Sequence, residues 1–100
     1  MDKKGAAAVL EEMAMLMELK GENTFRIRSF VNGARIIESL DEDLGTVVAE
    51  GRLRSIKGIG EALAAILTEL FERGESSDLN TLRREFPASI YELFEIPGLG

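Results

Sequence analysis

Cysteine and histidine are both absent from these 100 residues. Without cysteine there is no disulfide scaffold, no thiolate metal site and no cysteine nucleophile. Without histidine there is no imidazole acid or base, no Ser-His-Asp triad and no histidine-rich zinc site. Long apolar runs are missing too: none approaches the roughly 18–20 residues of a membrane span. The opening MDKKGAAAVLEEM sets basic residues before an apolar stretch, but Glu11 and Glu12 interrupt it too early for a secretory signal. The expectation is a soluble intracellular protein, in the cytoplasm, with no membrane partner.

What is present is 45% hydrophobic and 30% charged residues, the composition of a globular chain. At this length one domain is expected, burying roughly 60–65% of the unfolded surface. The net charge is -6, which taken alone opposes nucleic acid, because phosphate contacts need local positive charge. Its distribution is uneven. Arg26, Arg28 and Arg35 lie within ten residues that hold no acid, and Arg52, Arg54 and Lys57 lie in a second acid-free stretch, Gly51 to Gly60. If these two stretches share a face, that face is basic on an acidic protein.

The chain reads as all-α. From about Lys3 to Lys20, Ala6, Val9, Leu10, Met13, Leu16, Met17 and Leu19 recur at helical spacing, and Lys20-Gly21 is a helix stop. Asn23 or Thr24 caps a second helix, about Phe25 to Leu40, with Phe30, Ala34 and Ile37 on one face. Asp41 or Asp43 opens a short third helix closed by Gly51. A fourth runs from Gly60 or Glu61 to Arg73 and stops at Gly74; apolar on most sides, it is expected at the centre of the bundle. Glu75 to Asp78 read as a polar loop, with Asp78 capping a fifth helix to about Glu85. Pro87 suits the first turn of a sixth, to about Phe94.

One motif repeats. Residues 53–60 read LRSIKGIG and residues 93–100 read LFEIPGLG, both L-x-x-I-x-G-[IL]-G. Each is a glycine hairpin of the kind that leads into a helix. The second copy ends the sequence, so the chain is expected to be the N-terminal piece of a longer protein. In the first copy the glycines allow a sharp turn and Ile59 between them tucks into the core. The amides of Gly58, Gly60, Glu61 and Ala62 are then free beside a helix N-terminus, a ready site for a phosphate. A plain helix–turn–helix corner needs the same glycines and no ligand.

Residues 17–35, MELKGENTFRIRSFVNGAR, followed by EDLGTVVAEGRLRSIKGIGEALAAILTELFERG, resemble the N-terminal domain of the X-family DNA polymerases, a helical domain with a helix-hairpin-helix motif. In DNA polymerase beta this is the deoxyribose-phosphate lyase domain. The resemblance divides the chain into a helical domain over 1–86, carrying the first hairpin at 53–60, and the start of a second hairpin unit over 87–100. It implies weak, salt-dependent, sequence-independent binding of gapped or nicked DNA. The partners of its phosphates would be the Gly58–Ala62 backbone with Arg26, Arg28, Arg54 and Lys57. It implies a K⁺ or Na⁺ ion on the backbone carbonyls of Arg54, Ile56 and Ile59, and a DNA base stacked on Phe25, which otherwise reads as a core or staple residue. Phe30 stands where the family has a tyrosine. Ile66 stands at the lysine that forms the Schiff base with the sugar aldehyde, and Ala62 at a second lysine, so no lyase activity is expected. Arginine stays protonated and cannot substitute. Glu61 sets a negative charge where phosphate would approach. The polymerase aspartates and their divalent metal would lie beyond this stretch, as would a phosphoesterase domain that bacterial members often append. No tightly bound cofactor, no small-molecule substrate and a monomer are expected. The rival expectation is a protein-interaction or structural domain that keeps the fold and has lost DNA.

Overall fold

Local capping chemistry sets the helix boundaries in the computed structural model, which describes residues 1–87, 89 and 90. Helix α1 spans Lys3–Lys20; the Asp2 carboxylate accepts the Gly5 amide at 2.7 Å. Gly21, at φ 84°, ends it: the Gly21 amide donates to Glu18 and the Glu22 amide to Met17, satisfying two carbonyls of the last turn. Asn23 caps α2, Thr24–Glu38, by accepting the Phe25 amide. Asp43 caps α3, Leu44–Ala49, taking both the amide and the hydroxyl of Thr46 at 3.0 Å. A 3₁₀ turn at Leu53–Ser55, not anticipated from the sequence, leads into the hairpin. Helix α4 covers Glu61–Arg73 and stops at Gly74, φ 76°. Helix α5 covers Ser77–Arg84.

Two sequence expectations are corrected. Ser76, not Asp78, caps α5: its hydroxyl accepts the Leu79 amide and is almost wholly buried, so the polar loop is shorter and Asp78 sits inside the first turn. The central helix is α1, not α4. Helix α1 buries Ala6, Ala7, Leu10, Met13, Ala14, Leu16 and Met17, more than half of its circumference. Helix α4 buries one stripe, Leu63, Ile66, Leu67 and Leu70, and turns Ala62 and Ala65 to solvent. Its run of alanines is apolar in sequence but costs little to expose.

Helix α2 lies along α1 and buries Phe30, Gly33, Ala34 and Ile37. A Cβ on Gly33 would sit 2.7 Å from Leu63 Cδ1, so this glycine leaves room for a side chain of α4 against α2. Lys3 crosses from α1 to donate to the Leu40 carbonyl after α2. The described residues are all-helical with no strand, as expected. The radius of gyration, 13.2 Å, is that of a folded chain of this length. No helix among the described residues is long and apolar enough to cross a membrane. The second hairpin, 93–100, lies outside the described residues, as does the expected sixth helix apart from its positions 87, 89 and 90.

Candidate functional site

The hairpin is a single tight turn between the 3₁₀ segment and α4. The Ile59 amide donates to the Ile56 carbonyl at 3.0 Å, with Gly58 at φ 95° in the third position, the geometry of a type II turn. Ile59 is 4% exposed, tucked into the core as expected. A Cβ on Gly58 would run into the Ile36 side chain of α2. Gly58 is therefore fixed by both its backbone angle and its packing.

Gly60 is different. Its φ of -89° and ψ of -173° suit any residue, and a Cβ there would meet nothing within 4 Å. It is the N-cap of α4 yet offers no side-chain cap. Serine or aspartate would serve the helix better at this position. The amides of Gly60, Glu61 and Ala62 have no hydrogen-bond acceptor among the described residues and open on a cleft of about 240 Å³. The cleft is lined by Arg26, Ser29 and Phe30 of α2 and by Gly58, Gly60, Glu61, Ala62 and Leu63. The arrangement joins unpaired donors, the positive end of a helix and a guanidinium, which together suit an anion.

Arg26 is half-exposed, its Nε 3.8 Å from Glu22 Oε2. Its guanidinium lies 5.8 Å over the buried Phe30 ring. Phe30 thus supplies a platform for Arg26. Phe25 is 79% exposed, so it is neither the core nor the staple residue that its type permits. Lys57 lines a second groove beside the turn, with Arg35. Arg28 and Arg54 are exposed and line neither cleft.

Arg52 is not part of this surface. It is claimed by Glu42 at 2.7 Å and Glu50 at 2.7 Å. Its hydrogen bond and charge hold the Glu42 carboxyl below the usual carboxylate range. Of the second basic stretch, only Lys57 faces the clefts. Ser29 and Asn32 were missed from the sequence, although Arg26, Ser29, Asn32 and Arg35 follow one another at three-residue spacing. No cluster of acidic side chains able to hold a metal ion occurs among the described residues. Ile66 is 3% exposed and belongs to the core.

Residues 1–76 match the model of the helix-hairpin-helix domain. The chain belongs to the helix-hairpin-helix domain family. It is also 35% identical, over all 100 of its residues, to DNA polymerase/3'-5' exonuclease PolX of Bacillus subtilis, strain 168. That stretch is 17% of the relative, so the chain spans about a sixth of the length of the curated protein it matches. The likeness to X-family polymerases seen in residues 17–35 and the hairpin is thereby borne out.

Proposed function

We propose that this domain is a sequence-independent DNA-binding module of an X-family polymerase chain and holds gapped or nicked DNA by its phosphates. The observation that carries the reading is Gly60. Neither backbone nor packing demands a glycine there, and it leaves the first amides of α4 uncapped beside Arg26. An absent side chain at an uncapped helix start is what a closely approaching phosphate requires. The phosphate contacts are the backbone of Gly58, Gly60, Glu61 and Ala62, with Arg26 and Lys57 lining the adjoining clefts; Arg28 and Arg54, exposed outside both clefts, would reach phosphates further along the strand. Phe25, exposed on the first turn of α2, offers a ring on which a base stacks.

A monovalent cation fits the same turn. The Arg54 and Ile59 carbonyls accept no hydrogen bond among the described residues, and that of Ile56 takes one, from the Ile59 amide. Three carbonyls of this kind suit a weakly hydrated K⁺ or Na⁺. When bound, the ion would supply positive charge to a phosphate oxygen.

Lyase chemistry is not proposed. It requires an amine, and Ile66 is packed in the core with no nucleophile to offer. The polymerase parentage is supported by the match to PolX.

The test is an NMR amide titration with gapped DNA carrying a 5'-phosphate, at low salt with K⁺. The expected result is shifts concentrated at Gly58–Ala62 and at Arg26–Phe30. The same DNA bearing a 5'-deoxyribose-phosphate, treated with borohydride, forms no covalent adduct. A second reading has one observation in its favour: Glu61 puts a carboxylate into the cleft lining. If millimolar DNA shifts no amide, the hairpin is architecture and the domain serves a protein contact.

A further inference from the structure

A second groove, of about 580 Å³, lies beside the first. Ser29, Asn32, Arg35 and Ile36 of α2 form one wall, and Lys57 and Gly58 of the turn form the other. Ser29 and Gly58 line both grooves, so the two are continuous. Arg35 lies nine residues after Arg26, about 13 Å further along the α2 axis at 1.5 Å per residue.

The groove brings two basic side chains together with no acid. Five of the ten basic side chains elsewhere are matched to acids: Lys20 with Glu85, Arg26 with Glu22, Arg52 with Glu42, Arg73 with Glu69 and Arg83 with Glu12. Arg35 and Lys57 make no ion pair and no side-chain hydrogen bond among the described residues, and no carboxylate lines the groove. The chain carries 18 acids for 12 bases, so pairing was available. Two like charges facing each other across an open groove repel unless an anion lies between them. Ser29 and Asn32 add hydrogen-bond donors along its wall. Its length and its continuity with the first cleft match a chain of phosphates better than one small anion.

Resting on the DNA-binding reading above, we propose that Ser29, Asn32, Arg35 and Lys57 form a second phosphate track. The track carries the same DNA strand past the hairpin, on the side away from Arg26. The contacts are to backbone phosphates, so they add affinity without sequence preference. A purely structural role for Arg35 also exists, because a cation in the last turn of α2 complements the helix dipole. That role acts on stability and leaves the salt dependence of DNA binding unchanged.

The experiment is fluorescence anisotropy of the 100-residue chain with a 5'-phosphorylated gapped duplex, between about 50 and 200 mM KCl. Arg35→Gln and Lys57→Gln are each expected to flatten the slope of log Kd against log salt by about 0.9, or about 0.7 if the held strand is single. The double variant flattens it by the sum, with unchanged thermal midpoints. Arg52→Gln, whose side chain is already neutralised, leaves the slope as it was. If Arg26→Gln flattens the slope and neither Arg35→Gln nor Lys57→Gln does, the track is wrong, and the DNA-binding reading stands on the Gly58–Ala62 backbone and Arg26 without Lys57. If the unaltered domain shows no salt-dependent DNA binding, both fall.

Discussion

Gly58 and Gly60 stand two residues apart in one motif and answer to different constraints. Gly58 needs a positive φ and the space that Ile36 fills. Gly58→Ala should therefore destabilise the domain by about 1–3 kcal/mol through strain and overpacking. Gly60 has neither need, and its extended backbone suits a capping side chain. Gly60→Ser places a hydroxyl where the α4 amides can donate to it. The expected outcome is a gain of about 0.5 kcal/mol in stability from the new cap, together with weaker DNA binding, because the hydroxyl competes with phosphate for the same amides. Urea unfolding and anisotropy on one protein sample measure both. A Gly60→Ser variant that binds DNA as tightly as the parent would mean that phosphate does not approach these amides. In sequence the two glycines look alike, since spacing shows that the chain turns but not which of its atoms a partner touches.

The helices were legible because their ends are local. Asn23, Asp43, Gly21 and Gly74 each act within a few residues of their own position. The exception is the α4–α5 junction, where Ser76 and Asp78 are both good caps and burial of Ser76 decides between them. A contact across eight residues holds that junction. Glu69 accepts the Ser77 amide at 2.9 Å and the Ser77 hydroxyl, and pairs with Arg73 at 3.0 Å. The Ser77 hydroxyl, then its amide, then Arg73 hold the Glu69 carboxyl below its ordinary value of 4.5. A carboxyl depressed in the folded state contributes stability that is complete above the unfolded value and lost as pH falls through the folded one. Glu69→Gln should thus lower the unfolding midpoint at neutral pH. The gap between variant and parent should close as pH drops below about 4.5. A gap that persists unchanged at pH 3 would assign the loss to packing rather than to the carboxylate.

At the scale of the molecule, the basic face depends on partners that sequence does not disclose. Arg52 and Lys57 share one acid-free stretch, yet only Lys57 remains available, because Glu42 and Glu50 fold back onto Arg52. Long-range pairing also closes the bundle. Glu12, inside α1, is buried to 4% exposure and receives Arg83 of α5 through two hydrogen bonds of 2.7 Å. These residues are 71 apart, and nothing in the helical spacing of α1 marks Glu12 as an inward position. Breaking a buried pair of this kind costs about 3–5 kcal/mol, and the partial exposure of Arg83 argues for the lower end. Glu12→Ala should remove about 3 kcal/mol, a large share of the stability usual at this size. The loss should be local first. Amides of α5 should exchange faster, while those of Gly60 to Ala62, carried on α4, keep their positions and their DNA-induced shifts. If Glu12→Ala instead abolished the shifts at Gly60–Ala62 in a protein that still folds, α5 would have to be counted as part of the DNA-binding unit.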